Sequence, residues 1–437
     1  MRPIVQSYRE FHVFEDCHRP LRAAVAGVVA AAFAAGAACA EPAPTFGALL
    51  AQAQQRAPLI VQSQAEIARA EGLARQAGAR PNPVFAIGVE NFAGSAPYNR
   101  FATAETTSSL ELPLELGGKR SARVAAGRAG VIAARAQFAV AGSDYAFTLA
   151  ETYADAEADG VRLVLAADAL ALAEDDLRVA KALVGAGKEA ELREVQARTS
   201  VQAARAARDA AIAAQATSLA ELTAMTGAPT PFTSVPPSLL PHAEEDEPLP
   251  QPDPLASPAY RAAQSAREAA ALRVEVQRRN AIPDLTASLG VRRLNGQGRP
   301  EGQNATAALA GLSIPLPFFD RNRGNIDAAR AELTAAEAGL SIARFDAEAG
   351  ARSGLARATA AFSRIAAARD AERTAEEAYR LSRIGYEGGK LSLLEVLNAR
   401  RALTEARTSA VDARLERLSA EAALARLAGT TPFGDIR

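Results

Sequence analysis

Few residues in this chain could do chemistry. Gly118-Lys119 and Gly389-Lys390 are the nearest approach to a phosphate-binding loop, in which backbone N–H groups cradle phosphate and a lysine reaches it. That loop needs a glycine five residues before the pair, where Pro113 and Ile384 stand instead. Arg120 also replaces the required Ser or Thr after Lys119. Both pairs therefore read as glycine punctuation between helices. His12, His18 and His242 are the only histidines, and Cys17 and Cys39 the only cysteines. Four of these five lie near the N-terminus, and His242 sits in a Pro-rich stretch. The body of the chain therefore offers no Ser-His-Asp or Cys-His set, no thiolate metal site and no disulfide. We expect no enzyme and no cofactor. Asn304-Ala305-Thr306 matches a glycosylation acceptor, a pattern that also arises by chance.

Without a reactive site, the elements themselves must carry the function. Lys and Arg number 49 against 50 Asp and Glu, so nothing argues for a nucleic-acid partner. Aromatics are 5% with no Trp, and Ala, Glu, Arg and Leu dominate, which is the composition of long, closely packed helices. Residues 1–40 read as a secretory signal: a basic leader, the small apolar run 23–38 and a small-x-small site at Ala38-Cys39-Ala40. Lipoprotein processing at Cys39 is an open alternative. Nothing later approaches 18 consecutive apolar residues, so no transmembrane helix is expected.

Landmarks in residues 81–227 recur 202 positions later. Pro81 falls on Pro283, Gly88 on Gly290, Gly187-Lys188 on Gly389-Lys390 and Gly227 on Gly429. The period is too long for a solenoid, so the chain reads as two copies of one large unit. The expected layout is a first repeat at 41–227, a linker at 228–256, a second repeat at 257–429 and a tail at 430–437. The linker holds nine prolines and the acidic run Glu244-Glu245-Asp246-Glu247, and is expected to be extended and solvated.

Within each unit the hydrophobic period changes. Residues 45–79 read as one helix, ended by Arg80-Pro81-Asn82-Pro83. In Val84–Phe92, Phe85, Ile87 and Val89 alternate with Ala86, Gly88 and Glu90. Thr106, Ser108, Leu110, Leu112 and Leu114 alternate with polar neighbours in the next strand. The second copy repeats this at 285–292, and less clearly at 304–314. Strands of about ten residues suit a tilted crossing of a bilayer. Four cannot close a barrel, so either the sheet is soluble or several chains pool their strands.

Helical spacing resumes after Gly117-Gly118. Leu163, Ala166, Leu170, Ala173, Leu177, Ala180 and Val184 form a coiled-coil seam. A helix over 118–185 would be about 100 Å long. Gly185-Ala186-Gly187 turns the chain, and a helix returns through 190–226. The second copy has its long helix from about 325, the turn Gly385-Tyr386-Glu387-Gly388-Gly389 and a return ending near Gly429.

Two repeats of strand, strand, long helix, turn and helix behind a signal sequence resemble the TolC-type outer membrane factors, and within them the CzcC branch, which serves heavy-metal cation efflux. The segments carrying the likeness are Leu112–Arg120, Ile314–Ile326 and Gly385–Ala399. It implies a mainly α-helical homotrimer with four strands per chain, a twelve-stranded barrel in outer membrane lipid and a helical tunnel across the periplasm. It also implies a periplasmic adaptor and an inner-membrane RND pump as partners. The adaptor-facing tips would be residues 183–190 and 384–392, including Gly185, Gly187, Lys188, Gly388, Gly389 and Lys390. Glu395 falls where family members carry an acidic gate. Asn398 occupies the place of a frequent second acid, and the first repeat has Arg193 and Gln196 there. Glu395 can equally be a solvated helix residue. The expected function is the exit duct of a tripartite efflux system, with metal cations as cargo. Export of drugs or other small molecules, or a periplasmic coiled-coil scaffold, are the alternatives.

Overall fold

The computed structural model describes residues 41–95, 101–243, 252–295 and 304–433. The signal segment with Cys39, the acidic run 244–247 and the last four residues lie outside the described residues.

Two helices, α1 (Phe46–Arg56) and α2 (Pro58–Ala77), lead into strand β1 (Val84–Glu90). The single helix expected over 45–79 is thus broken. Pro58 forces Ala57 out of the helical region, to φ −59° and ψ 130°, and then opens α2 as its first residue. Strand β2 (Glu105–Leu114) follows, then α3 (Lys119–Gly185), which returns through α4 (Glu191–Thr226). A four-residue helix, α5 (Leu239–His242), precedes α6 (Pro258–Asn280), β3 (Leu285–Leu294) and β4 (Ala305–Ser313). The second hairpin is α7 (Arg323–Glu387) and α8 (Leu393–Ala428).

The four strands make one antiparallel sheet in the order β1-β2-β3-β4, with β1 and β4 at its edges. At its foot, Lys119 pairs with Asp284 at 2.8 Å and the Leu116 N–H donates to the same carboxylate, fastening the start of α3 to the start of β3. Below the sheet α3 packs against α2, α6 and α8, while α7 packs against α6 and α8. The seam read from spacing is at the contact: Leu170, Ala173 and Ala180 are buried, and the other four positions are half-buried. Alanine on the buried positions lets helix axes approach closely.

The largest core lies at the waist, where Phe46, Leu49, Tyr145, Leu149, Tyr153, Leu222 and Leu239 cluster. Phe46 meets Tyr153 edge-on at 5.7 Å between ring centroids. The described part of the Pro-rich stretch is folded onto this core, contrary to the extended linker expected. Leu239 and Leu240 are buried, and the Glu157 carboxylate accepts from the N–H groups of Ser238, Leu239 and Leu240 at 3.1, 2.9 and 3.1 Å. Tyr153 donates towards the carbonyls of Pro44 and Pro236. Proline-rich composition forbids a helix ladder but leaves N–H groups that a buried carboxylate can satisfy.

Candidate functional site

The hairpin tips carry the residues expected to face an adaptor, and the sheet carries those expected to face lipid. Each tip closes with the same backbone device. Gly187 at φ +70° and Gly389 at φ +69° adopt the left-handed conformation that ends a helix. Lys188 N–H donates to the Leu183 carbonyl at 2.9 Å, and Lys390 N–H to the Gly385 carbonyl at 2.8 Å. A side chain on Gly185, Gly187 or Gly389 would project into open space. Gly185, Gly187, Lys188, Gly388, Gly389 and Lys390 are all exposed. Beside them stand exposed Leu192, Val195, Ile384, Leu391 and Leu394. Each tip is therefore bare glycine backbone and aliphatic side chain with one lysine and one glutamate, Glu189 or Glu387.

Glu395 and Asn398 are exposed on the first turns of α8. The Glu395 carboxylate accepts from the Ser392 N–H at 2.7 Å and the Ser392 hydroxyl at 3.0 Å, capping its own helix. In the first repeat Arg193 donates to Gln196 at 3.0 Å.

A second constellation was invisible to sequence spacing. Asp176 on α3 is 3% exposed and Arg400 on α8 is 8% exposed, and they pair at 3.1 Å. The Tyr379 hydroxyl on α7 donates to the other Asp176 oxygen at 3.3 Å, and Arg400 also donates to the Ser200 hydroxyl on α4. All four long helices are thus tied at one level. Burial pushes the Asp176 carboxyl above its ordinary range, opposed chiefly by the Arg400 charge. Burial also pushes the Tyr379 hydroxyl up to about 12. A single Asp beside an apolar seam gives no periodic signal, so only contacts could find it.

The sheet has two unlike faces. Phe85, Ile87, Leu110, Leu112, Leu289, Val291 and Leu312 lie on one, exposed as drawn by a single chain. The other carries Glu105, Thr107, Ser109, Glu111, Ser288 and Arg292. Arg292 donates to Thr107 at 3.1 Å and Glu105 at 3.3 Å. Among the described residues no acidic, His or Cys group could hold a metal ion, and no helix is long and apolar enough to cross a membrane.

Comparison with known proteins agrees with this geometry. The outer membrane efflux protein family matches residues 49–228 and 255–430. The chain is 39% identical over 414 residues to the nickel-cobalt-cadmium resistance protein NccC of Alcaligenes xylosoxydans xylosoxydans, covering 94% of this chain and 92% of that protein. It is 41% identical over 322 residues to the nickel and cobalt resistance protein CnrC of Cupriavidus metallidurans, covering 72% and 73%. In fold it is similar to CusC, with a TM-score of 0.74 at 18% identity over 88% of this chain and 92% of that one. The Campylobacter jejuni CmeC outer membrane channel gives 0.75 at 14% identity, over 89% and 86%. The chain belongs to the outer membrane efflux protein family and resides in the outer membrane, extending into the periplasm.

Proposed function

We propose that three copies of this chain pool their strands into a closed twelve-stranded barrel, whose helical hairpins form a duct that carries heavy-metal cations out of the cell. The observation that carries this reading is the sheet: four strands, one apolar face, and two unpaired edges. Open edges are not tolerated in lipid, whereas closure removes them. The apolar face would meet lipid, and the face with Glu105, Glu111 and Arg292 would line water. The metal cargo is supported by the resemblance to the nickel, cobalt and cadmium resistance proteins. A conduit needs no tight site, because strong binding would slow passage.

The tips would dock on a periplasmic adaptor fed by an inner-membrane RND pump. Exposed Leu192, Val195, Ile384, Leu391 and Leu394 would give that contact its apolar area, and the tip glycines would let a partner approach the backbone. Glu395 would form a ring of three carboxylates near the closed end, with Asn398 one turn further on. Deleting the gene from its host should raise sensitivity to nickel, cobalt or cadmium, and the purified protein should conduct ions across planar bilayers. Unchanged metal tolerance with unchanged drug tolerance would sink the efflux role. A chain recovered without detergent, and silent in bilayers, would favour a periplasmic scaffold.

A further inference from the structure

We infer that the foot of the sheet is a collar whose exposed arginines hold the phosphodiester headgroups of the periplasmic leaflet. This inference rests on the pooled-barrel reading and adds to it what the lower rim would recognise.

Four chain segments meet at the foot: 78–83 before β1, 115–123 after β2, 275–284 before β3 and 314–325 after β4. Contacts between them hold them at one level. Arg120 donates to the Gly78 carbonyl at 2.8 Å, Arg279 to the Gly117 carbonyl at 3.1 Å, and Asn322 to the Gln277 carbonyl at 2.8 Å. Together the segments carry eight Arg and Lys against four Asp and Glu, in a chain with 49 against 50 overall. The excess of cations is therefore local to this level.

The four acids are occupied. Glu115 pairs with Arg123, Asp284 with Lys119, and Glu275 with Arg278 and Arg279, while Asp320 accepts from the Asn322 N–H. Arg80, Arg120, Arg321 and Arg323 are exposed and pair with no carboxylate among the described residues. Arg120 and Arg323 stand in the first turns of α3 and α7, which hold no acidic residue. A cation at a helix start opposes the helix dipole, so the stability of the rods does not account for them.

Directly beside these arginines the apolar face runs out past the strand ends. Leu112, Leu114 and Leu116 continue one row, and Leu312, Ile314, Leu316 and Phe318 another, all of them exposed. Arg120 follows the first row by four residues, and Arg321 and Arg323 follow the second by three and five. An apolar row giving way to unpaired cations is the profile of a membrane interface, and a guanidinium fork matches two phosphate oxygens at once. Tyr and Trp usually mark that boundary. The four segments contain neither, so headgroup contact falls to arginine. The rows are continuous with the face proposed to meet lipid, which selects a phospholipid over an acidic protein as the occupant.

The protein purified from outer membranes in dodecyl maltoside tests the collar against three probes. These are dioleoylphosphatidylglycerol, dioleoylglycerol, which has the same tails without phosphate, and inorganic phosphate. Native mass spectrometry counts the lipid retained, and thermal shift follows its binding. Phosphatidylglycerol should bind at least tenfold more tightly than diacylglycerol, and phosphate alone should give no shift. Each arginine at an anionic surface is worth about fivefold. Arg321→Gln with Arg323→Gln should therefore weaken phosphatidylglycerol by at least fivefold, as should Arg80→Gln with Arg120→Gln. Arg352→Gln with Arg357→Gln is the control, since both are exposed without a carboxylate partner roughly 45–50 Å further along α7. It should leave lipid binding unchanged. A shift from phosphate alone, or equal binding by parent and collar variants, overturns the collar. If an acidic protein then co-purifies with the parent alone, the patch is a protein contact. A chain that conducts in planar bilayers yet fails these arms loses the collar and keeps the barrel. A chain that is monomeric, silent in bilayers and free of lipid loses both.

Discussion

Replacing Arg400 by alanine takes away the cation facing the Asp176 carboxylate inside the helical rod. Asp176 is 3% exposed, and its remaining donor there is the Tyr379 hydroxyl. Removing one member of a buried ion pair costs about 3–5 kcal/mol, because the other charge is left desolvated. At about 1.4 kcal/mol per tenfold, that is about two to three and a half decades in the equilibrium for opening this part of the rod. Amide hydrogen exchange reads it directly. Amides near Ala173, Ala180, Val396 and Leu403 should lose protection by that factor in Arg400→Ala, while those around Tyr153 at the waist keep theirs. The pH dependence has a definite sign. Burial already raises the Asp176 pKa, and Arg400 is the largest opposing influence, so the variant's folded-state pKa rises further above the unfolded one. A folded state that holds its proton more tightly gains stability as pH falls towards that pKa. The deficit is therefore largest at neutral pH and shrinks on acidification. The paired replacement Asp176→Leu with Arg400→Met should stay within about 1 kcal/mol of the parent, since neither charge is then stranded. A protection change under threefold in Arg400→Ala, or a deficit that grows as pH falls, refutes this reasoning.

Three further outcomes are expected. Glu157→Ala strands three N–H groups, those of Leu239 and Leu240 buried at about 1–3 kcal/mol each, and limited proteolysis within 228–243 should speed up by at least tenfold. Glu395→Ala removes the cap on α8, at about 1 kcal/mol, and should alter cation preference in planar bilayers. Unchanged single-channel behaviour with a frayed first turn would leave Glu395 as a cap and nothing more. Gly117→Ala puts a side chain at φ +68° and against Ile282, so trimers should dissociate in detergent at a lower temperature; an unchanged melting profile would show the sheet foot to be slack.

Much of the fold was legible because periodicity reports where apolar side chains must go. The change from period two at Leu110, Leu112 and Leu114 to heptad spacing at Leu170 and Leu177 separates strand from rod. Gly187 and Gly389 mark the turns because their φ values suit glycine best. The break at Pro58 was missed because proline is also favoured at the first position of a helix, so it marks a boundary only once Ala57 is known to be extended. The folded Pro-rich stretch was missed because its anchor, Glu157, lies about eighty residues away in sequence. Asp176 and Arg400 escaped for a similar reason: a polar residue beside an apolar seam reads as solvent-facing until its partner from the other repeat is seen.

Parity is a quieter consequence of the four-stranded sheet. In the barrel proposed above, each repeat would contribute an even number of crossings, so the chain would leave the bilayer by the same rim through which it entered, twice over. Both rods and all of the waist would then belong to one aqueous compartment. The far rim of that barrel would carry the connections between β1 and β2 and between β3 and β4. Anything outside the cell, whether phage, antibody or antibiotic, would find only those connections to recognise on each subunit.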